Sequence, residues 1–436
     1  MNKSPQPLAV VRGVRRSVTA NGSLWASLLI VAMGCVALEA ADWPAWRGSD
    51  FHGVAAGGPY PTHWSATEGV VWSLALPGKG TSTPVVSGDK IFLTVPDEGR
   101  NELWCLDRDG KKLWQVNLGT EVPGKNKKAS GCNPSPVTDG KYVYAYFKSG
   151  DLACVDMTGK VVWQQNLQQK YGEDTLWWDL GTSPVLTDQA VVIAVMQTGG
   201  SYVVGLDRQT GSELWKQDRN LDAPEEAAQS YTTPLVLGQG DAQRLVIAGA
   251  DHVTGHDART GKELWRVGGL NPRGERFFRS IASPVANDEL VVAPYARGNT
   301  LTAVRLGGEG DVTKSNVAWH REGKFTDVPT PALRGDRLYL LNDQGRVECL
   351  NVKTGETIWE LPMERNRNAY SASPVVAGDQ IYVTREDGRT FIVSDRGDKG
   401  ELVASNDLGE SVIATPVLLD GRIYLRTMDK LYCLGK

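Results

Sequence analysis

A Ser/Thr-Pro dipeptide followed by an apolar run recurs through this chain. It stands at Thr83-Pro84, Ser135-Pro136, Ser183-Pro184, Thr233-Pro234, Ser283-Pro284, Thr330-Pro331, Ser373-Pro374 and Thr415-Pro416. Successive prolines lie 52, 48, 50, 50, 47, 43 and 42 residues apart. A period of this size, held along the chain, demands a repeat architecture whose units share their core with neighbours. It overrides the division that 436 residues would suggest at ~150 residues per domain.

Each unit reads as four short strands. In the first, Thr83-Pro84-Val85-Val86 starts a strand and Ser87-Gly88-Asp89 turns it. Runs around Phe92, Trp104 and Trp114 supply three more, with Asp109-Gly110 as the last turn. Alternating β-branched and aromatic residues between Gly/Asp turns carry this assignment. The fourth strand usually bears a Trp at a fixed offset from a turn of the form Asp-x-x-Thr-Gly, where Asp and Thr can bond turn backbone and Gly accepts φ > 0. Trp72, Trp114, Trp163, Trp215, Trp265, Trp319 and Trp359 are the residues expected to dock between neighbouring sheets. Two units depart: the fifth has a longer turn, Gly307 to Asn316, and the seventh shows Val403 where Trp is expected.

The last unit, from Thr415-Pro416 to Cys433-Leu434, has three strands and no fourth. The run around Trp72 is a fourth strand without the first three. Pairing them closes a ring. The expected fold is an all-β, eight-bladed β-propeller of four-stranded blades, spanning 70–436, with 42–69 as an N-terminal extension. Closure removes open sheet edges and points to a monomer.

Residues 1–41 read as an export signal: four basic residues, an apolar stretch from Ser23 to Leu38, then Glu39-Ala40-Ala41. The apolar stretch is short for a span of ~20 residues. An uncleaved anchor, a lipidation box ending at Cys35 and a twin-arginine signal at Arg15-Arg16 are the variants. The expected location is secreted or periplasmic, with a lipid anchor at Cys35 as one possibility. The formal charge is −4, and removing four leader cations and one acid leaves −7. Such an acidic body argues against nucleic acid as a partner.

The repeated Asp-x-x-Thr-Gly-x-x-x-Trp motif together with Ser/Thr-Pro resembles the quinoprotein-type, PQQ-like repeat β-propellers. That family includes quinoprotein alcohol dehydrogenases and the outer-membrane assembly lipoprotein BamB. The opening Trp43-Pro44-Ala45-Trp46-Arg47-Gly48 resembles that of secreted PQQ-like propellers of planctomycete-type bacteria. The repeat is structural and does not by itself imply a bound quinone. The resemblance implies two functions: a non-catalytic binding or scaffold module of the envelope, or a PQQ- and calcium-dependent dehydrogenase oxidising an alcohol or sugar. A role in polysaccharide handling is a third, suggested by a Trp-rich loop.

No catalytic signature is present. Cys105, Cys154, Cys349 and Cys433 share one repeat position and read as small core residues. The family's dehydrogenases carry a vicinal disulfide, and this chain has no adjacent cysteine pair. Cys132 precedes Asn133-Pro134 near the expected funnel. His252 and His256 have helical metal-site spacing but fall in a strand, where four residues span ~13 Å. No catalytic or metal residues are expected, and the quinone with calcium belongs only to the dehydrogenase reading.

Loop length marks the candidate face. From Trp to the next repeat proline the gaps are 22, 21, 19 and 19 residues after Trp114, Trp163, Trp215 and Trp265, against 12–15 elsewhere. These loops, the shorter one after Trp319 and that of the seventh unit carry Trp177, Trp178, Asp179, Tyr231, Arg276, Arg279, Asp327, Arg367 and Tyr370, the candidate ligand-binding residues. Asp179, Arg279 and Asp327 sit shortly before the repeat prolines, in positions to face an axis. Aromatic rings beside Arg and Asp suit a protein, peptide, carbohydrate or planar cofactor. The same aromatics would also serve simply to pack the loops down.

Overall fold

The computed structural model describes residues 42–56 and 58–435, so the export-signal segment and Cys35 lie outside the described residues. Eight antiparallel sheets surround an axis. Blades 1 to 7 span 85–120, 137–166, 185–218, 235–267, 285–322, 332–362 and 375–407. Blade 8 joins Val417–Leu419, Arg422–Arg426 and Lys430–Leu434 to Val70–Ala75, which pairs antiparallel with Lys430–Leu434. The ring closure read from the two incomplete units is thus present.

Burial follows strand position. Middle strands such as Ala190–Val195 are buried along their whole length, because neighbouring blades cover both faces. The outermost strand Val70–Ala75 alternates between half-buried and exposed residues. The Asp of each turn works as expected: the Asp156 carboxylate accepts from Thr158 N, Thr158 Oγ1 and Lys160 N. Gly159 then takes φ +90°.

The Trp of one blade lies beneath the turn glycine of the next. A Cβ on Gly211 would fall 2.6 Å from Trp163, and one on Gly355 would fall 2.7 Å from Trp319. Trp72 Nε1 donates to Arg108 O at 2.9 Å and Trp114 Nε1 donates to Met157 O at 3.1 Å. Trp215 is buried beside Gly261, its Nε1 without a hydrogen-bond partner among the described residues, and Trp359 donates to Asp395 Oδ1. Trp265 differs. The long turn of blade 5 sends Gly310–Asp311 back onto blade 4 as a fifth, parallel strand beside it.

Every fourth strand carries a register shift that skips the residue before the Trp position. This corrects the reading of blade 7. Val403 is the skipped residue, and Ala404, opposite Ile392, holds the Trp position. Sizes are exchanged across that pair. Wherever Trp stands, the facing third-strand residue is small: Cys105, Cys154, Gly205, Gly255, Ala303, Cys349 and Cys433. A Trp at 404 would also lack its dock, since the third and fourth strands of blade 8 are not joined by a turn. The five described cysteines are free and buried. His256 is buried in its strand, bonded to Gly261 O and Thr254 Oγ1.

The extension is woven into the far end of the axis. Trp43 pairs with Val86 of blade 1, and Thr138 N of blade 2 donates to Pro44 O. His52 Nε2 reaches Ala286 O of blade 5, and Leu333 N of blade 6 donates to His52 O. Val54–Ala55 then adds a parallel strand to the inner edge of blade 7. Phe51 packs against apolar clusters spanning blades 2 to 5.

Candidate functional site

The repeat dipeptide explains itself at the axis. Thr83 N donates to Ser135 Oγ at 2.9 Å, Ser135 N to Ser183 Oγ at 3.0 Å, and Ser183 N to Thr233 Oγ1 at 3.0 Å. Thr233 N donates to Ser283 Oγ, Ser283 N to Thr330 Oγ1, Thr330 N to Ser373 Oγ, and Ser373 N to Thr415 Oγ1. Thr83 Oγ1 completes the circle by donating to Thr415 O at 3.3 Å. Each hydroxyl thus holds the preceding blade, and the following proline starts the inner strand without needing a backbone donor. All eight side chains are at most 4% exposed.

Above this ring opens a funnel of about 230 Å³. Its wall includes Thr83, Ser135, Ser183, Thr233, Thr330, Ser373 and Thr415, with Trp46, Lys128, Asn133, Trp178, Asp179 and Tyr231. Trp46 comes from the extension, and the Arg47 guanidinium lies 6.0 Å from its ring centre. Arg47 is fully buried and donates to Pro331 O, Pro374 O and His52 O. Burial lowers its pKa to about 9.

Of the candidate residues, Trp178, Asp179 and Tyr231 line the funnel. Asp179 is spent on architecture. Its carboxylate takes Lys148 Nζ at 2.6 Å and the backbone N–H groups of Lys125 and Asn126. Burial opposes ionisation, yet these donors hold its pKa below the usual carboxylate range. Trp178 Nε1 donates to the buried Glu226 at 2.7 Å, and its backbone N–H donates to Tyr231 OH. Glu226 also lies 3.9 Å from Arg279 and 3.7 Å from Arg297. Arg279 pairs with Asp327 at 3.0 Å, tying the loop after blade 4 to the loop after blade 5.

Trp177 stands on the rim against Phe277, with ring centres 6.2 Å apart, and Arg276 pairs with Glu225 beside it. Arg367 is exposed on the loop after blade 6, apart from this cluster. Tyr370 is buried against Phe391 and presents no surface to the funnel. The sequence reading passed over Trp46, Lys128, Asn133 and the ring hydroxyls. The hydroxyls had a signal, since they are the repeat motif itself. Lys128 and Asn133 had none beyond loop length.

A family model described as "Outer membrane protein assembly factor BamB" matches residues 54–217, 158–311 and 199–434. No curated protein sequence matches the chain. Among solved structures, BamB from Moraxella catarrhalis aligns over 84% of this chain and 99% of its own, at 18% identity and TM-score 0.60. Quinohemoprotein alcohol dehydrogenase from Comamonas testosteroni covers 90% of this chain and 80% of its own, at 13% identity and TM-score 0.67. A europium-containing methanol dehydrogenase covers 91% and 98%, at 11% identity and TM-score 0.68. At these identities the likeness speaks for the fold alone.

Proposed function

For a chain that belongs to the PQQ-like repeat family of the outer membrane protein assembly factor BamB, we propose a non-catalytic, protein-binding module of the cell envelope that works as a monomer through the funnel rim. The observation that carries this reading is an aromatic ridge that is both exposed and fixed. Trp177, Trp178 and Phe277 are 47%, 46% and 52% exposed. Trp177 N is held by Gln229 Oε1, and Trp178 is held at both its backbone N–H and its Nε1. Rigid aromatic anchors are what protein interfaces use as binding centres, because little side-chain entropy is lost on contact. Among the described residues no helix is long and apolar enough to cross a membrane, so attachment to the envelope would come through the leader or a partner.

The dehydrogenase reading meets a poor donor set. A calcium-held quinone needs several carboxylate or amide oxygens, and the funnel wall offers one carboxylate, Asp179, and one amide, Asn133, whose Oδ1 already accepts from Thr81 Oγ1 and Ser130 N. That carboxylate already receives Lys148 and two backbone donors. The residues present do not fit the group.

The test places a benzophenone side chain at position 277 on the rim, or at position 214 on the outer wall, where Leu214 is 45% exposed. The mature protein is then mixed with an outer-membrane β-barrel chain diluted from urea. Cross-links at 277, weak at 214 and lost on Trp177→Ala with Trp178→Ala, are expected. Equal labelling at both sites, or tight quinone and calcium binding with dye-linked alcohol oxidation, overturns the reading.

A further inference from the structure

The geometry of the axis points to a second site: we infer that the funnel floor binds a single carboxylate. Seven of the eight ring hydroxyls are fixed as acceptors, each receiving a backbone N–H from the neighbouring blade. That leaves each O–H proton to be placed. Thr83 donates to Thr415 O. Ser135, Ser183, Thr233, Thr330, Ser373 and Thr415 line the cavity, and no hydrogen bond from their hydroxyls reaches an acceptor among the described residues. Six buried hydroxyls, each with a donor left to place, therefore line one small space. An acceptor-only ligand suits such a ring, and an ionised carboxylate offers about four lone-pair sites and no donor, enough for four of the six hydroxyls. A water molecule offers two acceptor sites but also brings two donors of its own, whereas a carboxylate brings none.

Charge favours the same ligand. Arg47 is fully buried beneath the ring, and among the described residues it has no carboxylate at ion-pair distance. Its hydrogen bonds go to the carbonyls of Pro331 and Pro374, the residues following ring members Thr330 and Ser373, and to His52 O. A buried cation is costly; Asp50 offsets only part of the burial of Arg47, and one negative charge on the axis adds to that relief. The wall carboxylate does not repel such a guest, because Asp179 is neutralised by Lys148 at 2.6 Å. The carboxylate can come from a free small acid or from the C-terminus of a polypeptide entering from the mouth.

The cavity shares Trp178 with the rim, and the experiment separates the two. The mature protein is titrated by calorimetry with acetate and with its neutral isostere acetamide, at constant ionic strength. Ala-Ala-Ala and its C-terminal amide follow. Two variants carry the control. Ser183→Ala removes a ring bond and a donor that faces the cavity. Ser283→Ala removes a comparable ring bond, from Thr233 N at 2.9 Å, but Ser283 does not line the cavity. Acetate should bind and acetamide should not. Ser183→Ala should weaken binding about tenfold or more, while Ser283→Ala leaves it nearly unchanged despite a similar loss of thermal midpoint. Tighter binding of the free-acid tripeptide identifies a chain terminus as the source, and tighter acetate identifies a free acid. No saturable heat with either acid, equal binding of the amides, or equal effects of the two serine variants would overturn the inference. Phe277→Ala should leave acetate binding intact, whatever it does to a protein partner.

Discussion

Single residues in this propeller are used mainly to settle polar groups that folding would strand. Asp251 shows the cost when this is incomplete. It sits at φ +61°, and its buried Oδ1 has no hydrogen-bond partner among the described residues. Burial pushes its pKa up to about 6, against partial relief from Asn271 and Tyr295. The folded-state pKa is thus above the unfolded value near 3.9, so ionisation is penalised only in the fold. Stability falls as pH rises from about 4 towards 6 and stays lower above it. Asn tolerates the left-handed backbone and carries no charge. Asp251→Asn should therefore stabilise the protein by about 1 kcal/mol at pH 7.5, after discounting for solvent. The gain should vanish as pH approaches 4, read as the shift in guanidinium midpoint. The funnel residues were only partly legible at this scale. The Trp177-Trp178-Asp179 run was visible in a long loop, but nothing local tells that Asp179 is consumed by Lys148 or that Tyr370 turns into the core.

The blade is the element, and its rules are local enough to read directly. The turn Asp, the following Gly and the Trp lie within ~10 residues, so one period exposes the whole device. What the pattern hides is a one-residue register shift, which moves the Trp position of blade 7 from Val403 to Ala404. The docking Trps also differ in their polar end. Trp359 Nε1 donates to the carboxylate of the buried Asp395 at 3.1 Å, whereas Trp215 Nε1 donates to nothing. Trp359→Phe should cost about 1.5–3 kcal/mol from the lost charged hydrogen bond, beyond the change in packing. Trp215→Phe should cost under about 1.5 kcal/mol, because it removes a stranded donor along with the smaller ring. Comparing denaturant midpoints of the two variants checks the ordering.

The whole molecule is closed twice: around the ring by Val70–Ala75, and along the axis by residues 43–55. His52 clamps the axial closure to blade 5. Its Nδ1 faces Asp50 at 3.3 Å and its Nε2 faces Ala286 O at 2.6 Å, so both nitrogens meet acceptors and the imidazolium fits best. Burial and the charge of Arg47 would lower its pKa, but Asp50 and the Ala286 carbonyl outweigh them and raise it. A raised histidine pKa gives stability that is full below about 6.5 and is lost as pH rises through the folded value. Asp50 is held low in turn, so its share fades only in acid, as pH falls through its folded value. His52→Gln should then cost most near pH 6 and least above pH 8. The readout is hydrogen exchange at Leu333 and Val376, whose amides donate to His52 O and Gly53 O. A uniform cost across that range would show that the clamp does not depend on the imidazolium.

By itself the sequence determined the repeat, the strand order within a blade, the turns, the docking Trps and the ring closure. These rest on periodicity and on contacts between residues close in the chain, which recur in each unit. Only the tertiary structure decided what lies on the axis. The hydroxyl ring joins residues 42 to 52 positions apart, and Arg47 reaches a carbonyl 327 positions away. No local propensity encodes such pairs. They exist because closing eight wedges around one line brings the start of every inner strand, and the segment preceding the first blade, into the same few ångströms.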